Sequence, residues 1–301
     1  MAGEPEPEAA GAEEQGREDA EQQGEADREG FPERGEGRDG KTVSGLSAAG
    51  LPGEIQRYRG RGVYQMCFEE ETKMREGPFF SVIIPAHNSA AFIRRGLNSI
   101  KNQDFKDYEL IVVCDACTDN TAEIAAEFIT GFGDTIILTE YGKAGMARNA
   151  GLDAAIGEWV LFMDDDDWYL PGAFAVIAEE LKAQKDIDIL AFAFEWKGRG
   201  IGIQHSGRIY PAVWNKAWRR DFIGEERFPD WIHTDDLGFA RKMHPRARFG
   251  FLPAVLYHYE FMRPGSVSDR IRAGEYDNGQ LPEEVRPAAE GYERWLKEKV
   301  K

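Results

Sequence analysis

Residues 159–168 read WVLFMDDDDW, an apolar run that ends in four consecutive aspartates, Asp164 to Asp167. Five apolar residues in a row are typical of a strand that is buried on both faces of a sheet. The aspartates stand where that strand leaves the core, and the alternation of side chains places Asp164 and Asp166 on the same side. Like charges so close together repel, and a hard divalent cation, Mn²⁺ or Mg²⁺, relieves the repulsion. The alternative is a set of solvated acids ahead of a helix that starts near Pro171.

Strand and helix patterns alternate on both sides of this stretch. Apolar runs predict strands at 80–84, 110–113, 135–139, 159–163 and 187–194. Helical periodicity predicts helices between them, one capped by Asn88 or Ser89, one opened by Thr118 or Asp119, one over 143–155 and one after Pro171. This alternation predicts an α/β fold with a Rossmann-like, mainly parallel sheet and helices on both faces.

Polar clusters follow three of the predicted strands, at 85–88, 114–117 and 164–167. Ligands bind such sheets beyond the carboxyl ends of the strands. We therefore expect these three clusters to converge on one binding site.

The first 50 residues differ in composition from the rest. They hold 14 acidic and 5 basic residues, so they carry −9 of the net charge of −17. A segment so polar buries too little apolar surface to offset its ordering entropy, which predicts a disordered acidic N-terminal tail. We expect a transitional segment over 51–78, the catalytic domain over 79–272, and a polar, peripheral C-terminal extension over 273–301.

Composition also excludes several classes of protein. The sequence has no run of basic residues that would favour nucleic-acid binding. Its three cysteines (Cys67, Cys114 and Cys117) are too few for a disulfide scaffold. The sequence shows neither a membrane-spanning apolar run nor a signal peptide. We expect a cytoplasmic protein, and peripheral attachment at the inner face of the cell membrane stays open.

Two further features have a chemical and a structural interpretation. Asp235 and Asp236 form a paired carboxylate that suits a general base, or two acids that complement the dipole of a helix N-terminus. His258 follows the apolar stretch 251–257 and is either a metal ligand or a core histidine with a satisfied hydrogen bond.

Cys114 and Cys117 form a Cys-x-x-Cys at a predicted strand-to-helix turn. A thioredoxin-like redox motif occupies such a turn, and a zinc site would need further ligands. The structural interpretation is two small turn residues.

Taken in order, the segments SVIIPAHN (81–88), VVCDACTDNT (112–121), ARNAGL (147–152) and FMDDDDW (162–168) resemble the family 2 glycosyltransferases of GT-A fold. WNK (214–216), TDDL (234–237) and RPGS (263–266) resemble later parts of bacterial members. The similarity covers about 190 residues. The chain departs from the family pattern at Cys114, Ala116 and Cys117, where Asp, Gly and Ser are usual.

The resemblance implies a role for each matching residue. Asp236 would be the catalytic base. Asp166, Asp164 and His258 would hold Mn²⁺ or Mg²⁺, with Asp164 and Asp166 as the ends of the DxD motif. The acceptor side would include Trp168, Trp214, Lys216 and Asp235. The donor nucleotide would contact Pro85, Ala86, His87, Asn88, Asp115, Arg148, Asp164, Asp165, Arg263 and Ser266.

The implied activity is inverting transfer of a hexosyl or N-acetylhexosaminyl group from a nucleotide-sugar, with UDP as the expected nucleotide. The acceptor would be a hydroxyl of a glycan or lipid-linked glycan in cell-surface polysaccharide synthesis, with no nucleic acid as partner. Two alternatives stay open: a nucleotide-sugar-binding protein without turnover, and a nucleotidyltransferase on a similar sheet. A nucleotidyltransferase would usually carry a glycine-rich basic loop after the first strand, which 85–89 lacks.

Overall fold

A computed structural model of the chain describes residues 54–57, 64–67, 77–197, 200–206, 209–261 and 263–299. The predicted acidic tail over 1–50 lies outside the described residues, as does most of the segment 51–78.

Strands and helices alternate through the first part of the described chain. The strands are β1 (Glu54–Arg57), β2 (Tyr64–Cys67), β3 (Phe80–Ala86), β4 (Tyr108–Asp115), β5 (Thr135–Thr139), β6 (Trp159–Phe162), β7 (Trp168–Tyr169), β8 (Ile189–Trp196), β9 (Gly200–Gly202), β10 (Lys216–Arg219) and β11 (Phe249–Tyr259). The helices are α1 (Ile93–Lys101), α2 (Thr121–Ala126), α3 (Ala144–Ala154), α4 (Ala173–Ala183), α5 (Arg220–Ile223), α6 (Asp235–Met243), α7 (Val267–Ala273) and α8 (Arg286–Lys299).

The described strands form one sheet in the order β1-β2-β5-β4-β3-β6-β10-β8-β11-β7, with β9 paired to β8. The neighbours β5-β4-β3-β6 are parallel, as are β8 and β11. Antiparallel β10 lies between β6 and β8 and joins the two parallel parts. The predicted α/β fold with a mainly parallel sheet is confirmed.

Burial explains why the predicted strands form. Val82, Ile83 and Ile84 in β3 are fully buried, because helices cover both faces of the sheet at this point. On one face, α3 approaches β3 so closely that a Cβ added at Gly151 would lie 2.4 Å from a side-chain carbon of Ile83. A glycine at 151 is therefore required for this contact.

The predicted start of α1 is wrong. The helix begins at Ile93, and neither Asn88 nor Ser89 caps it. Instead, Asn88 has a positive φ of 49°, and its Oδ1 accepts a hydrogen bond from the backbone N–H of Thr118 over 2.7 Å. The side chain thus ties the turn after β3 to the turn after β4. The helix α2 likewise begins later than expected, at Thr121.

The C-terminal part packs against the domain through a small apolar cluster. Leu281, Val285 and Ala289 are buried and contact Trp231 and Leu237. This contact places the start of α8 beside α6. None of the helices in the described part of the chain is both long and apolar enough to span a bilayer.

Candidate active site at the carboxyl edge of the sheet

The turns after β3, β4 and β6 meet through His87. Its backbone N–H donates to Oδ2 of Asp165 over 3.1 Å, and its Nδ1 donates to the backbone oxygen of Asp115 over 2.7 Å. Pro85 and Ala86 are the last residues of β3 and lie directly before it. The predicted convergence of the three polar clusters is therefore present in the structure.

Asp115 is buried, and three hydrogen bonds hold its carboxylate in place. It accepts hydrogen bonds from the Thr139 hydroxyl (2.8 Å) and from the backbone N–H groups of Tyr141 (2.6 Å) and Lys143 (2.9 Å). These donors belong to the end of β5 and the loop before α3. They fix the orientation of the carboxylate at the end of β4.

Backbone strain is concentrated around these turns. Among the described residues, the non-glycine positions with positive φ are Asn88, Ala116 and Thr234. Each lies next to a residue of the candidate site in sequence. A left-handed conformation costs an L-residue with a Cβ roughly 1–2 kcal/mol, and such strain is common at functional sites. A glycine at 116 would adopt this conformation without the Cβ penalty.

The four aspartates have different environments. Asp167 is fully buried and accepts hydrogen bonds from the Tyr257 hydroxyl and from the Glu260 N–H, each over 2.7 Å. It therefore fastens the turn to β11. Burial raises the pKa of Asp165 to about 7, and repulsion from Asp166 adds to the effect.

Arg148 in α3 links the two acidic groups of the chain. Its guanidinium donates to Oδ1 of Asp164 over 2.8 Å and to Oδ2 of Asp235 over 2.5 Å, and it lies 3.1 Å from Oδ1 of Asp236. Arg148 is buried, so these contacts are poorly screened by solvent. Asp164 and Asp235, which are 71 positions apart in sequence (235 − 164), thus belong to one site.

Asp235 and Asp236 begin α6, so they occupy the helix N-terminus and contact the site at the same time. The Oδ2 of Asp236 accepts from the Val213 N–H over 3.2 Å. Its Oδ1 is buried and makes no hydrogen bond of good geometry among the residues that the structure describes, but it forms an ion pair with the Arg148 guanidinium 3.1 Å away. Burial raises the pKa of Asp236 to about 6, against the opposing effect of Arg148. A buried carboxylate with a pKa near neutrality suits a general base.

His258 lies in β11 opposite Trp168 in β7. The two rings stack with centroids 3.6 Å apart and an interplanar angle of 11°, and the Arg95 guanidinium covers the Trp168 ring at 3.7 Å. The Nδ1 of His258 donates to Oε1 of Glu195 over 2.6 Å. Its Nε2 is buried and makes no hydrogen bond in the described part of the chain. Oε2 of Glu260 lies 3.7 Å from this nitrogen, within ion-pair distance but too far for a hydrogen bond.

The segment 263–266 connects β11 to α7. Arg263 donates from Nε to Oδ2 of Asp166 over 2.7 Å, and its guanidinium lies 4.2 Å from the centre of the Phe92 ring. Ser266 caps α7 by accepting a hydrogen bond from the Asp269 N–H over 3.2 Å. The loop thus contacts the acidic turn through Arg263, while Ser266 supports the helix behind it.

Two residues predicted on the acceptor side are largely internal. Trp214 is buried and stacks on Tyr257 and Tyr259, with centroids 4.9 and 4.8 Å apart. Lys216 is fully buried and donates from Nζ to the backbone oxygens of Tyr210 (2.7 Å) and Ala212 (2.6 Å). Burial lowers the pKa of Lys216 to about 7.

The candidate metal ligands Asp164, Asp166 and His258 include two carboxylates, which suit a hard divalent cation such as Mn²⁺ or Mg²⁺. The Nε2 of His258 makes no hydrogen bond within the described residues, and a carboxylate orients the ring through Nδ1, as is common for ligating histidines. Within the described ranges, no three His, Cys, Asp or Glu side chains are already arranged around a common point for a metal. Asp164 and Asp166 are instead paired with Arg148 and Arg263.

Three residues of the site were missed at the sequence level: Glu195, Arg95 and Tyr257. Glu195 carries a possible signal, because it is an acid directly after the apolar run of β8. The other two act through contacts between distant segments, and no local pattern indicates them.

The model of the family described as "Glycosyl transferase family 2" matches residues 81–242. The chain is 27% identical over 230 residues to the putative glycosyltransferase EpsH of Bacillus subtilis, covering 68% of this chain and 67% of EpsH. It is 30% identical over 206 residues to the poly(ribitol-phosphate) beta-N-acetylglucosaminyltransferase TarS of Staphylococcus aureus, covering 62% of this chain and 36% of TarS. It therefore spans only about a third of the length of that relative.

The structure is similar to that of S. aureus TarS 1–349 in complex with UDP, with a TM-score of 0.52 and 25% identity. The superposition covers 70% of this chain and 69% of that chain. The family match contains the turns after β3, β4 and β6, Arg148 and the acidic pair of α6. Because it extends over more than half of the sequence, the chain belongs to glycosyl transferase family 2.

Proposed function

We propose that this chain is a metal-dependent, inverting glycosyltransferase that moves a hexosyl or N-acetylhexosaminyl group from a UDP-sugar to a hydroxyl group. The observation that carries the proposal is the set of contacts of Arg148, which joins Asp164 of the strand-end turn to Asp235 and Asp236 of α6. A donor-binding group and a candidate base must lie close together for transfer to occur, and one guanidinium spans both.

The donor would lie across the ends of β3 and β4. In this proposal Pro85, Ala86, His87 and Asn88 border the nucleobase and Asp115 accepts a hydrogen bond from it. Asp164 approaches the ribose, with Asp165 next to it. That S. aureus TarS 1–349 forms a complex with UDP supports UDP as the nucleotide.

Asp164, Asp166 and His258 would hold the divalent cation. The bound cation would supply positive charge to the diphosphate as it leaves. Arg263 pairs with Asp166 in this structure, and we propose that it turns to the diphosphate when nucleotide and cation bind. A loop that ends in the cap of α7 at Ser266 allows that rearrangement without unfolding the helix.

The chemistry proposed for the chain's own residues is proton removal and orientation. The carboxylate of Asp236 accepts the proton of the acceptor hydroxyl, and the acceptor oxygen attacks the anomeric carbon as the bond to the diphosphate breaks. Arg148 holds Asp235 and Asp164 in place and limits the rise in the pKa of Asp236. In-line attack from the side opposite the leaving group inverts the anomeric centre.

The acceptor would approach from the side of Trp168 and α6, with Asp235, Trp214 and Lys216 shaping that region from behind. We propose a glycan or lipid-linked glycan as acceptor. TarS is named as a poly(ribitol-phosphate) transferase, which supports a cell-surface polymer rather than a small metabolite. The reaction would take place in the cytoplasm, at the inner face of the membrane when the acceptor is lipid-linked.

A screen of nucleotide-sugars tests the proposal. A UDP-sugar should raise the melting temperature only when Mn²⁺ or Mg²⁺ is present, and the same donor should be hydrolysed slowly without acceptor. Asp166→Asn should lose this stabilisation while keeping its fold, because one charged ligand is gone. Asp221→Asn is the matched control, since that side chain is 87% exposed and remote in sequence from the acidic turn. Metal-independent binding would contradict the proposed cation site, and binding without hydrolysis or transfer would favour a protein without turnover.

A further inference from the structure

The two cysteines of the Cys-x-x-Cys motif meet at the end of β3. Cys114 is paired with Ala86 in the register of β4 and β3. The Cys117 thiol donates to the backbone oxygen of the same Ala86 over 3.4 Å. Ala86 of β3 is thus a neighbour of both cysteines, and the intervening Ala116 has a positive φ of 49°.

The two side chains also belong to one apolar cluster, in which Cys114 is buried and against which Cys117 packs. Both cysteines are free; Cys114 is buried, whereas Cys117 is partly exposed. Two neighbouring thiols, one reachable from solvent and one shielded, form the arrangement required for thiol–disulfide exchange with a resolving cysteine.

We propose that Cys114 and Cys117 form a reversible disulfide by exchange with a small-molecule disulfide such as glutathione disulfide, and that this disulfide weakens nucleotide binding. The first part stands on the geometry of the two thiols alone. The second part rests on the proposed function, in which Asp115 contacts the nucleobase.

The exchange proceeds in two steps that balance. The Cys117 thiolate attacks one sulfur of glutathione disulfide, forms a mixed disulfide and releases one glutathione thiolate. Cys114 then loses its proton and attacks the Cys117 sulfur, which releases the second glutathione thiolate. The two protein thiols lose two electrons and two protons, and the glutathione disulfide becomes two glutathione thiols. The neighbouring Cys114 thiol lowers the pKa of Cys117, which favours the partly exposed Cys117 as the attacking group.

The disulfide would act on the nucleotide site because Asp115 lies inside the ring that it closes. The carboxylate of Asp115 is fixed by hydrogen bonds from the Thr139 hydroxyl and the Tyr141 and Lys143 amides. A sulfur–sulfur bond is shorter than the contact between two thiols, so Cys117 must move toward the strand. That movement displaces Ala116, which is already strained at φ 49°, and shifts Asp115 against its three donors.

The first experiment measures the disulfide without reference to function. The full chain is equilibrated with glutathione disulfide, alkylated and digested for mass spectrometry. We expect the protein to lose two hydrogen atoms, a peptide link between Cys114 and Cys117, and one remaining thiol of the three in the sequence, Cys67. A stable mixed disulfide with glutathione, a link to Cys67 or a covalent dimer would overturn the proposal.

The second experiment measures UDP affinity in the presence of Mn²⁺ by calorimetry. Oxidation should weaken UDP binding by about tenfold or more, and dithiothreitol should restore it. Cys117→Ser, which cannot form the disulfide, should bind UDP equally before and after the same treatment. Equal affinity of the oxidised and reduced parent protein would overturn the effect on nucleotide binding. If the reduced protein fails to bind any nucleotide, the proposed function fails with that effect, and the mass measurement still decides the disulfide.

Discussion

Arg263 and Asp166 form an ion pair in which Nε of the arginine donates to Oδ2 of the aspartate over 2.7 Å. Both side chains are largely buried, so the attraction between them is substantial. The carboxylate that we propose as a cation ligand is therefore neutralised by the protein itself. A cation and Arg263 compete for the same group, and this competition leads to the first prediction.

Arg263→Met should change two affinities in opposite directions. Removing the competing guanidinium should tighten Mn²⁺ binding in the absence of nucleotide by about tenfold, since hydrogen bonds between charged groups contribute roughly 1.5–3 kcal/mol. UDP binding at saturating Mn²⁺ should weaken, because the variant lacks the positive charge of the Arg263 side chain, which we propose turns to the diphosphate. Electron paramagnetic resonance of free Mn²⁺ and calorimetry give the two values. Arg270→Met, an exposed arginine paired with Glu275, is the control and should change neither.

Asp236→Asn should retain UDP affinity and lose transfer by roughly 10²–10⁴-fold, the usual contribution of a general base. Asp235→Asn should behave differently, because Asp235 is the direct partner of the buried Arg148. We expect it to lower stability by about 1–3 kcal/mol with a smaller effect on turnover. Near-normal transfer by the Asp236 variant would remove this residue from the mechanism.

The rate of transfer should rise with pH through about 6, the raised pKa of Asp236, because only the ionised carboxylate accepts a proton. Below that pH, kcat/KM should fall about tenfold per pH unit. In Asp235→Asn this rise of the rate with pH, the acidic limb of the pH profile, should move to lower pH, since repulsion from Asp235 contributes to the raised pKa of Asp236. A limb that stays in place in this variant would assign the titration to another group.

Glu195→Ala should weaken Mn²⁺ binding by about 10–100-fold, the usual effect of removing the partner of a ligating histidine. Glu195 accepts the Nδ1 proton of His258 and so leaves the lone pair on Nε2. Nitrogen-15 NMR of the metal-free variant should show increased Nε2–H tautomer. Glu195→Gln, whose amide oxygen can still accept that proton, should restore most of the affinity. An unchanged tautomer and affinity in Glu195→Ala would show that His258 needs no partner.

Ala116→Gly should stabilise the reduced protein by about 1 kcal/mol, because glycine adopts a positive φ without the Cβ penalty. Ala175→Gly in α4 is a control of opposite sign and should destabilise by about 1 kcal/mol, as expected for an exposed helix interior. Urea unfolding under reducing conditions measures both. Equal destabilisation by the two substitutions would mean that the strain at 116 is relieved elsewhere.

The parallel half of the sheet could be predicted from local sequence. The run 80–84 and the other apolar runs of this half are almost uninterrupted and are buried on both faces, so composition alone indicates strands. The strands β10 and β11 could not be predicted in this way. Lys216 and Arg219 bound β10, and Pro253 interrupts the apolar pattern of β11. Their pairing depends on partners far away in sequence.

The candidate site shows the same division. Asp164 to Asp167 are adjacent, so repulsion among them is evident from the sequence. The partners of each carboxylate are not evident from the sequence, since Arg148 and Arg263 come from other elements and reach the turn only through the fold. Sequence periodicity places Arg148 on a helix but does not tell which acids it meets. The assignment of Asp236 as the base accordingly came from resemblance rather than from spacing.

The position of β10 also has a consequence for synthesis on the ribosome. The strands β3, β4, β5 and β6 can pair as soon as 80–163 has emerged, but the outer edge of β6 is completed only by Ala217, Trp218 and Arg219. Until those residues appear, the nascent chain presents an open strand edge with Leu161 beside it. Such edges pair readily with other extended chains. Slow translation between 163 and 216 would therefore favour aggregation of the nascent chain, and rapid translation would favour its completion.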